Sequence, residues 1–229
     1  ISEGFTPRPR TEPTAVTAPA QAPAAAAEPG ADDPTTRALR ELQQQVSTCT
    51  NCRLHEGRKR AVFGEGSSTA DVLFVGEAPG ANEDRTGRPF VGDAGQLLTR
   101  IINAAMGLRR AEVYIANINK CRPPSNRTPT PDEAGACLPF LQRQVELLQP
   151  KVIVCLGRTA VHHLLGRPES VGALRGQPLE YLGIPVVATW HPAYLLREPS
   201  RKKETWLDIM RVNRLLGRPE KPEPVTEDA

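Results

Sequence analysis

The chain has 229 residues, 39% apolar and 24% charged, with 4% aromatic residues, 23 prolines and a formal net charge of +3. That length suits one domain with tails; no run of about 18 consecutive apolar residues marks a transmembrane helix, and no heptad array or internal repeat supports a coiled coil or solenoid. The charge is unevenly placed, with −3 on residues 1–34, −2 on 217–229 and +8 on the body between them, a distribution compatible with a polyanionic partner such as nucleic acid.

Residues 1–34 contain sixteen Ala or Pro and almost nothing to build a core, so composition predicts a disordered arm, a spacer or a tether to a partner. The segment 217–229 (GRPEKPEPVTEDA) is expected to be a disordered tail for the same reason. The domain between, 35–216, alternates helix and strand patterns. Thr35 or Thr36 is a candidate cap for a first helix with Leu39, Leu42 and Val46 on one face. DVLFV (71–75) is a short apolar run ending at Gly76, as expected of a buried strand, and a helix from about Ala94 stops at Gly107. VYIAN (113–117) is the next strand, and Thr130-Pro131-Asp132-Glu133 has the form of a capping box opening a helix to about Leu148. KVIVCLG (151–157) and PVVATW (185–190) are two further strands, each followed by a helix pattern, the last over about 202–216. Near-continuous apolar strands separated by helices predict an α/β fold with a parallel sheet covered on both faces, and ligands in such sheets bind beyond the carboxyl ends of the strands.

Five cysteines occur, and four group into a plausible set. Cys49 and Cys52 form a C-x-x-C pair, Cys121 follows the 113–117 strand, and Cys137 lies on the helix after it. A structural disulfide or a thioredoxin-like pair fits the C-x-x-C position poorly; a four-thiolate metal site, zinc or iron–sulfur, uses all four. The wide 121–137 spacing favours a cluster over zinc. Cys155, mid-strand among β-branched residues, is expected to be core, and His55, His162 and His163 to be structural or surface residues.

The strand ends carry the polar chemistry. GEAPGANED (76–84) lacks the G-x-G-x-x-G pattern, and no G-K-[ST] exists in the chain, which disfavours dinucleotide and Walker-type sites. It offers three acids, Glu77, Glu83 and Asp84. Phe90, in a Gly/Pro loop, is a candidate stacking platform for a base, and the amide of Asn117 suits a pyrimidine edge. His191 opens HPAYLLR, where Leu195 and Leu196 beside Arg197 suggest a wedge on a DNA-binding loop.

Taken together, GEAPGANED, GRPFVGDAG, NINKCRPPSNRTP and WHPAYLLR, with the four cysteines, resemble the family 4 uracil-DNA glycosylases, the iron–sulfur type, over about residues 36–216. The resemblance implies a three-layer α/β sandwich with a four-stranded parallel sheet, and a structural [4Fe-4S] cluster on Cys49, Cys52, Cys121 and Cys137. It implies substrate binding by Gly76, Ala78, Phe90 and Asn117, catalysis by Glu77 and His191, and DNA contacts from Leu195, Leu196 and Arg197. Phe90 would stack on a flipped uracil, Asn117 would bond its N3–H and O4 edge, and His191 would stabilise charge on O2 as the glycosidic bond breaks. Which of Glu77, Glu83 and Asp84 serves the sugar or the water is left open, as is the means of excluding thymine beside Ala78. The expected partner is uracil-containing DNA, single- or double-stranded, met by a monomer without a membrane; the arm is a candidate contact for a repair or replication partner, and a cytoplasmic, nucleoid-associated prokaryotic setting is expected.

Two rivals carry other predictions. A relative that traps uracil covalently through histidine bears GEQPG and a basic insert before the histidine, whereas this chain has Ala78 and an uninterrupted VATWH. A non-catalytic metal-bearing DNA-binding module predicts binding without base release.

Overall fold

The computed structural model describes residues 33–225, which hold a six-stranded sheet between two helical layers. The expectation for arm residues 1–32 lies outside the described residues. In chain order the elements are α1 (Pro34–Thr48), α2 (Leu54–Gly57), β1 (Glu65–Gly66), β2 (Val72–Gly76), α3 (Ala81–Thr86), α4 (Asp93–Ile101), β3 (Tyr114–Asn117), α5 (Pro131–Leu148), β4 (Val152–Leu156), α6 (Arg158–Leu165), α7 (Val171–Leu174), β5 (Leu179–Tyr181), β6 (Ile184–Thr189), α8 (Pro192–Arg197) and α9 (Lys202–Leu215). The strand order is β1-β3-β2-β4-β6-β5.

The expected four parallel strands form the centre: β3, β2, β4 and β6 pair in parallel. Two short strands that the sequence reading does not anticipate, β1 and β5, close the edges antiparallel to β3 and β6. They are too short for an alternation signal. The chain steps from β2 to β3 on one side and then crosses to β4 on the other, so the order reverses between β2 and β4. Such a reversal opens a crevice at the carboxyl edge of the sheet.

Strand alternation splits the core in two. Leu73 and Val75 of β2 and Ile153 and Cys155 of β4 pack with Leu39, Leu42 and Val46 of α1, Leu141 and Val145 of α5, and Val161 and Leu164 of α6. Their sequence neighbours, Val72, Phe74, Val152 and Val154, face Leu98 of α4, Ile102 and Met106 beyond it, and Ile209 and Val212 of α9. Because both faces are covered, β2 and β4 are apolar throughout and carry no polar residue to mark a solvent side.

Local starts and stops mostly follow the sequence signals. Thr130 caps α5, its hydroxyl accepting from the Glu133 N–H while the Glu133 carboxylate accepts from the Thr130 N–H. Gly107 ends the helical run after α4 in a left-handed conformation (φ +60°), following a π-helical turn, Ile102–Met106. The cap of α1 is Asp33 rather than Thr35 or Thr36. Its carboxylate accepts from the N–H groups of Thr35 and Thr36 (2.9 and 3.0 Å), because Pro34 occupies the first helical position and moves the start upstream. The folded body therefore begins by Asp33.

The body also extends beyond 216. Arg218 donates to the Met106 carbonyl (3.2 Å), the Val225 N–H to the Asn103 carbonyl (3.3 Å), and Asn213 to both the Ala105 and Glu220 carbonyls (2.7 and 3.3 Å). A helix end leaves carbonyls without intrahelical partners. Residues 218–225 help to satisfy them through main-chain and side-chain hydrogen bonds, a form of docking that apolar composition does not register.

Candidate active site

A cavity of about 480 Å³ opens at the carboxyl edge of the parallel strands, lined by Glu77, Ala78, Phe90, Asn117, His191, Tyr194 and Arg197 among others. Three strands deliver its polar groups. Glu77 follows β2, Asn117 is the last residue of β3 in register with Gly76, and His191 follows β6 as the cap of α8.

Gly76 sets the spacing of this corner. A Cβ there would stand 2.4 Å from Asn117 Oδ1 and 2.5 Å from Phe90 Cζ, so only glycine lets the amide and the ring meet over the strand end. Phe90 itself holds φ +50°, rare for an aromatic residue, and its carbonyl lies where a side chain on Gly95 would begin. Its ring centroid is 5.6 Å from that of His191. Asn117 is buried, and its Oδ1 has no hydrogen-bond partner among the described residues.

The three acids separate by their contacts. Glu83 accepts from the backbone N–H groups of Val91 and Gly92 (2.8 and 2.9 Å) and of Gly80 (3.1 Å), clasping the Phe90 loop to α3. Asp84 is buried and accepts from the Lys59 N–H at 2.8 Å. Both carboxylates are thus engaged in backbone support. Glu77 lines the cavity and receives the hydroxyl of Thr159, from the first turn of α6. That bond spans the crevice between β2 and β4.

His191 has its tautomer set locally. Its Nδ1 accepts from the Ala193 N–H at 3.1 Å, which leaves the proton of the neutral ring on Nε2. Burial, reinforced by the nearby Arg197 cation and partly opposed by Glu83, holds its pKa down to about 4. Gly157, at φ +90°, lies against the ring's stem: a Cβ there would be 3.0 Å from His191 Cβ.

Cys49, Cys52, Cys121 and Cys137 ring a second, small cavity with His55, Arg58 and Lys120. They come from the end of α1, the turn that precedes α2, the loop after β3 and the middle of α5. Arg58 donates to Cys121 Sγ (3.2 Å) and to the Cys49 carbonyl (2.8 Å), and the Lys120 N–H donates to Cys137 Sγ (3.2 Å). Burial pushes the Cys121 thiol up against the pull of Arg58, and the Cys137 thiol up to about 11 against the pull of Lys120. Among the described residues no three His, Cys, Asp or Glu side chains are drawn together tightly enough to hold a single ion. His55 lines the ring, but its Nδ1 is taken by the Cys52 carbonyl at 2.8 Å. Cys155 stands apart, fully buried in β4, its thiol pushed up to about 12 by burial.

Residues 63–211 match the family model of the uracil DNA glycosylase superfamily. The chain is 49% identical over 163 residues to the type-4 uracil-DNA glycosylase of Thermotoga maritima, covering 70% of this chain and 84% of that protein. It is 43% identical over 195 residues to the type-4 enzyme of Saccharolobus solfataricus, covering 82% and 88%. It belongs to the type-4 uracil-DNA glycosylases. The type-5 uracil-DNA glycosylase of Thermus thermophilus is more distant, 37% identical over 52% of this chain and 70% of its own.

One expected DNA contact of this type-4 chain needs correcting. PAYLLR is the helix α8, started by His191 as cap and Pro192 at the first helical position, and helical spacing turns Leu195 inward to 0% exposure. Leu196, at 42% exposure, is the leucine on the surface, and Arg197 lines the cavity. Other cavity features escaped the sequence reading. Thr159 lies 82 residues from Glu77 and carries no local signal. Tyr194 lines the cavity and stacks on Trp190 at 5.0 Å, while Arg127 at the rim is held by two bonds to Glu133 (2.7 Å each). An aromatic between two cavity-lining residues, Ala193 and Arg197, was the available hint for Tyr194.

Proposed function

We propose that this chain is a monofunctional uracil-DNA glycosylase, which takes uracil out of DNA and hydrolyses its N-glycosidic bond to leave an abasic site for base excision repair. The observation that carries this reading is the convergence on one cavity of the Phe90 ring, the Asn117 amide and a His191 ring whose available proton is on Nε2.

The roles follow from the chemistry of each group. Phe90 stacks on the extruded ring. The Asn117 amide accepts from uracil N3–H and donates to O4; cytosine presents the reverse pattern and would leave buried polar groups unpaired. As the C1′–N1 bond breaks, the bonding pair moves onto uracil and charge grows on O2, where the His191 Nε2–H donates. The sugar becomes oxocarbenium-like. Glu77, positioned by Thr159, stabilises that cation and orients water, whose oxygen bonds to C1′ while a proton passes to solvent. Glu77 is favoured over Glu83 and Asp84 because their carboxylates are committed to backbone N–H groups.

The four-cysteine ring fits an iron–sulfur cluster by its donor set: four thiols on one cavity, two of them beside the cations Arg58 and Lys120, which suit thiolate charge. Cys49, Cys52, Cys121 and Cys137 would hold a [4Fe-4S] group, whose contribution when bound is to tie α1, α5 and the β3 loop together. Uracil-containing DNA, single- or double-stranded, is the proposed partner of a monomeric enzyme, with Arg197 and Leu196 at the contact. Among the described residues no helix is long and apolar enough to cross a membrane, and a cytoplasmic, nucleoid-associated setting accords with the substrate.

The covalent-trap alternative is disfavoured by Ala78, which lines the cavity in place of glutamine. The deciding experiment is incubation with an oligonucleotide bearing one uracil, then alkali, with a thymine strand as control. Scission of the uracil strand alone is expected. A shifted protein–DNA band on a denaturing gel would instead establish a trap, and reversible binding without scission a non-catalytic module.

A further inference from the structure

We propose that Lys120 is the positioning residue that joins the cysteine ring to the uracil-recognising Asn117. This rests on the proposed uracil reading and extends it to a residue outside the cavity.

Lys120 is 1% exposed, rare for lysine, and it forms no ion pair with a carboxylate among the described residues. Its side chain folds back along its own segment. The ammonium donates to the main-chain carbonyl of Asn117 at 2.9 Å and to Gln144 Oε1 on α5 at 2.6 Å. Gln144, itself fully buried, passes the connection on by donating to the Phe63 carbonyl at 3.0 Å. The backbone of Lys120 faces the other way: its N–H donates to Cys137 Sγ at 3.2 Å, and its carbonyl accepts from the Val62 N–H at 2.7 Å.

One residue therefore touches a cysteine of the ring with its main chain and clamps the peptide of Asn117 with its ammonium. A buried ammonium is costly unless hydrogen-bonded and balanced by negative charge. Two neutral oxygens supply the hydrogen bonds; the cysteines of the ring, Cys137 nearest among them, would supply the charge as thiolates once they hold the cluster. A neutral side chain would fill the same space at lower cost, so the lysine is explained by what it grips. The carbonyl it holds belongs to the residue whose amide must sit at a fixed distance from Phe90 and Gly76. Angular error there acts directly on base recognition.

The test uses the full chain as isolated with iron, comparing Lys120→Met with Gln144→Met. Gln144→Met removes at least as many buried hydrogen bonds but leaves the Asn117 contact in place. Four quantities are read: iron per chain, melting temperature, inhibition by free uracil, and kcat and KM on a uracil oligonucleotide. Lys120→Met is expected to keep its iron while inhibition by free uracil weakens about tenfold or more and kcat/KM falls in parallel. Gln144→Met is expected to lower the melting temperature but leave uracil inhibition within about twofold.

Unchanged uracil inhibition in Lys120→Met overturns the proposal, as does equal weakening in both variants, which would mark general core damage. Loss of iron in Lys120→Met alone would make the lysine a support of the ring only. If Lys120→Met does not fold, Lys120→Gln, which keeps a donor, is measured in the same way, and failure of both to fold makes Lys120 a packing residue and overturns the proposal. A wild-type chain that releases no uracil would count against the functional reading and is seen separately.

Discussion

Gly76 and Asn117 are register partners on adjacent parallel strands, so close that a methyl group on the glycine would stand 2.4 Å from the asparagine's Oδ1. The same methyl group would meet the Phe90 ring at 2.5 Å. Gly76→Ala must therefore displace both candidate uracil contacts while leaving the strand intact. Excision is expected to fall by about a hundredfold or more, since errors of an ångström in substrate placement act on that scale. Single-turnover kinetics beside a DNA-binding titration checks this; loss of uracil release with unchanged nonspecific affinity is the expected pattern.

Thr159→Val removes one hydroxyl from the Glu77 carboxylate and little else. The expected result is a fall of roughly tenfold in kcat with KM nearly unchanged, and recovery in Thr159→Ser. In a Glu77→Ala background the valine substitution should add no further loss, because the two side chains act as one unit. Additive losses would show that Thr159 supports something other than Glu77.

The depressed pKa of His191 has a consequence for stability with a definite sign. Its folded-state value, about 4, lies below the unfolded histidine value near 6.5, so the unfolded chain binds the proton more readily. The stabilisation from holding this ring neutral is complete above about pH 6.5 and is lost as pH falls through about 4. Melting temperature followed from pH 7.5 to 4 should decline over that window, and less steeply in His191→Ala. The same variant should lose roughly 10²–10³ in kcat through the missing donor. An identical acid slope in both proteins would show that another group dominates.

The two leucines of α8 should part company. Leu195→Ala empties a fully buried position and is expected to cost about 2–5 kcal/mol of stability. Leu196→Ala, at an exposed position, should leave stability within about 0.5 kcal/mol and reduce excision from duplex more than from single-stranded DNA. Thermal melting and paired assays on the two substrates separate these outcomes.

Cys121→Ser is expected to yield colourless protein with little iron and a lower melting temperature, whereas Cys155→Ser should keep its iron, since Cys155 lies inside β4 away from the ring. Iron analysis and visible absorption provide the measure. Stable, active Cys121→Ser would argue against the cluster.

The sequence made the central sheet legible because buried parallel strands are short apolar runs, and the α5 cap legible because Thr130, Pro131 and Glu133 are neighbours in the chain. Glu77, Asn117 and His191 were findable because strand ends are where such folds place ligands. What stayed hidden depends on long-range contact. Nothing near Glu83 in the chain says that its carboxylate would be occupied by backbone N–H groups of the Phe90 loop, or that Thr159 would reach Glu77. Leu195 was misread because PAYLLR is too short to show a helical stripe, although His191 and Pro192 together are a start signal. The extension to Val225 was missed because its anchors are main-chain acceptors rather than apolar side chains.

The sheet's two borders have a consequence for behaviour in concentrated solution. β1 is two residues long and begins beside Gly64, at φ +140°, while β5 is three residues long and turns at once through Leu182 and Gly183. Both run against the direction of the strand they cover, so each seals a parallel strand with a strip too brief to template another chain. A protein whose most apolar strands are all interior, and whose rims offer only a few free backbone groups, is protected from growing by strand addition even when crowded along DNA.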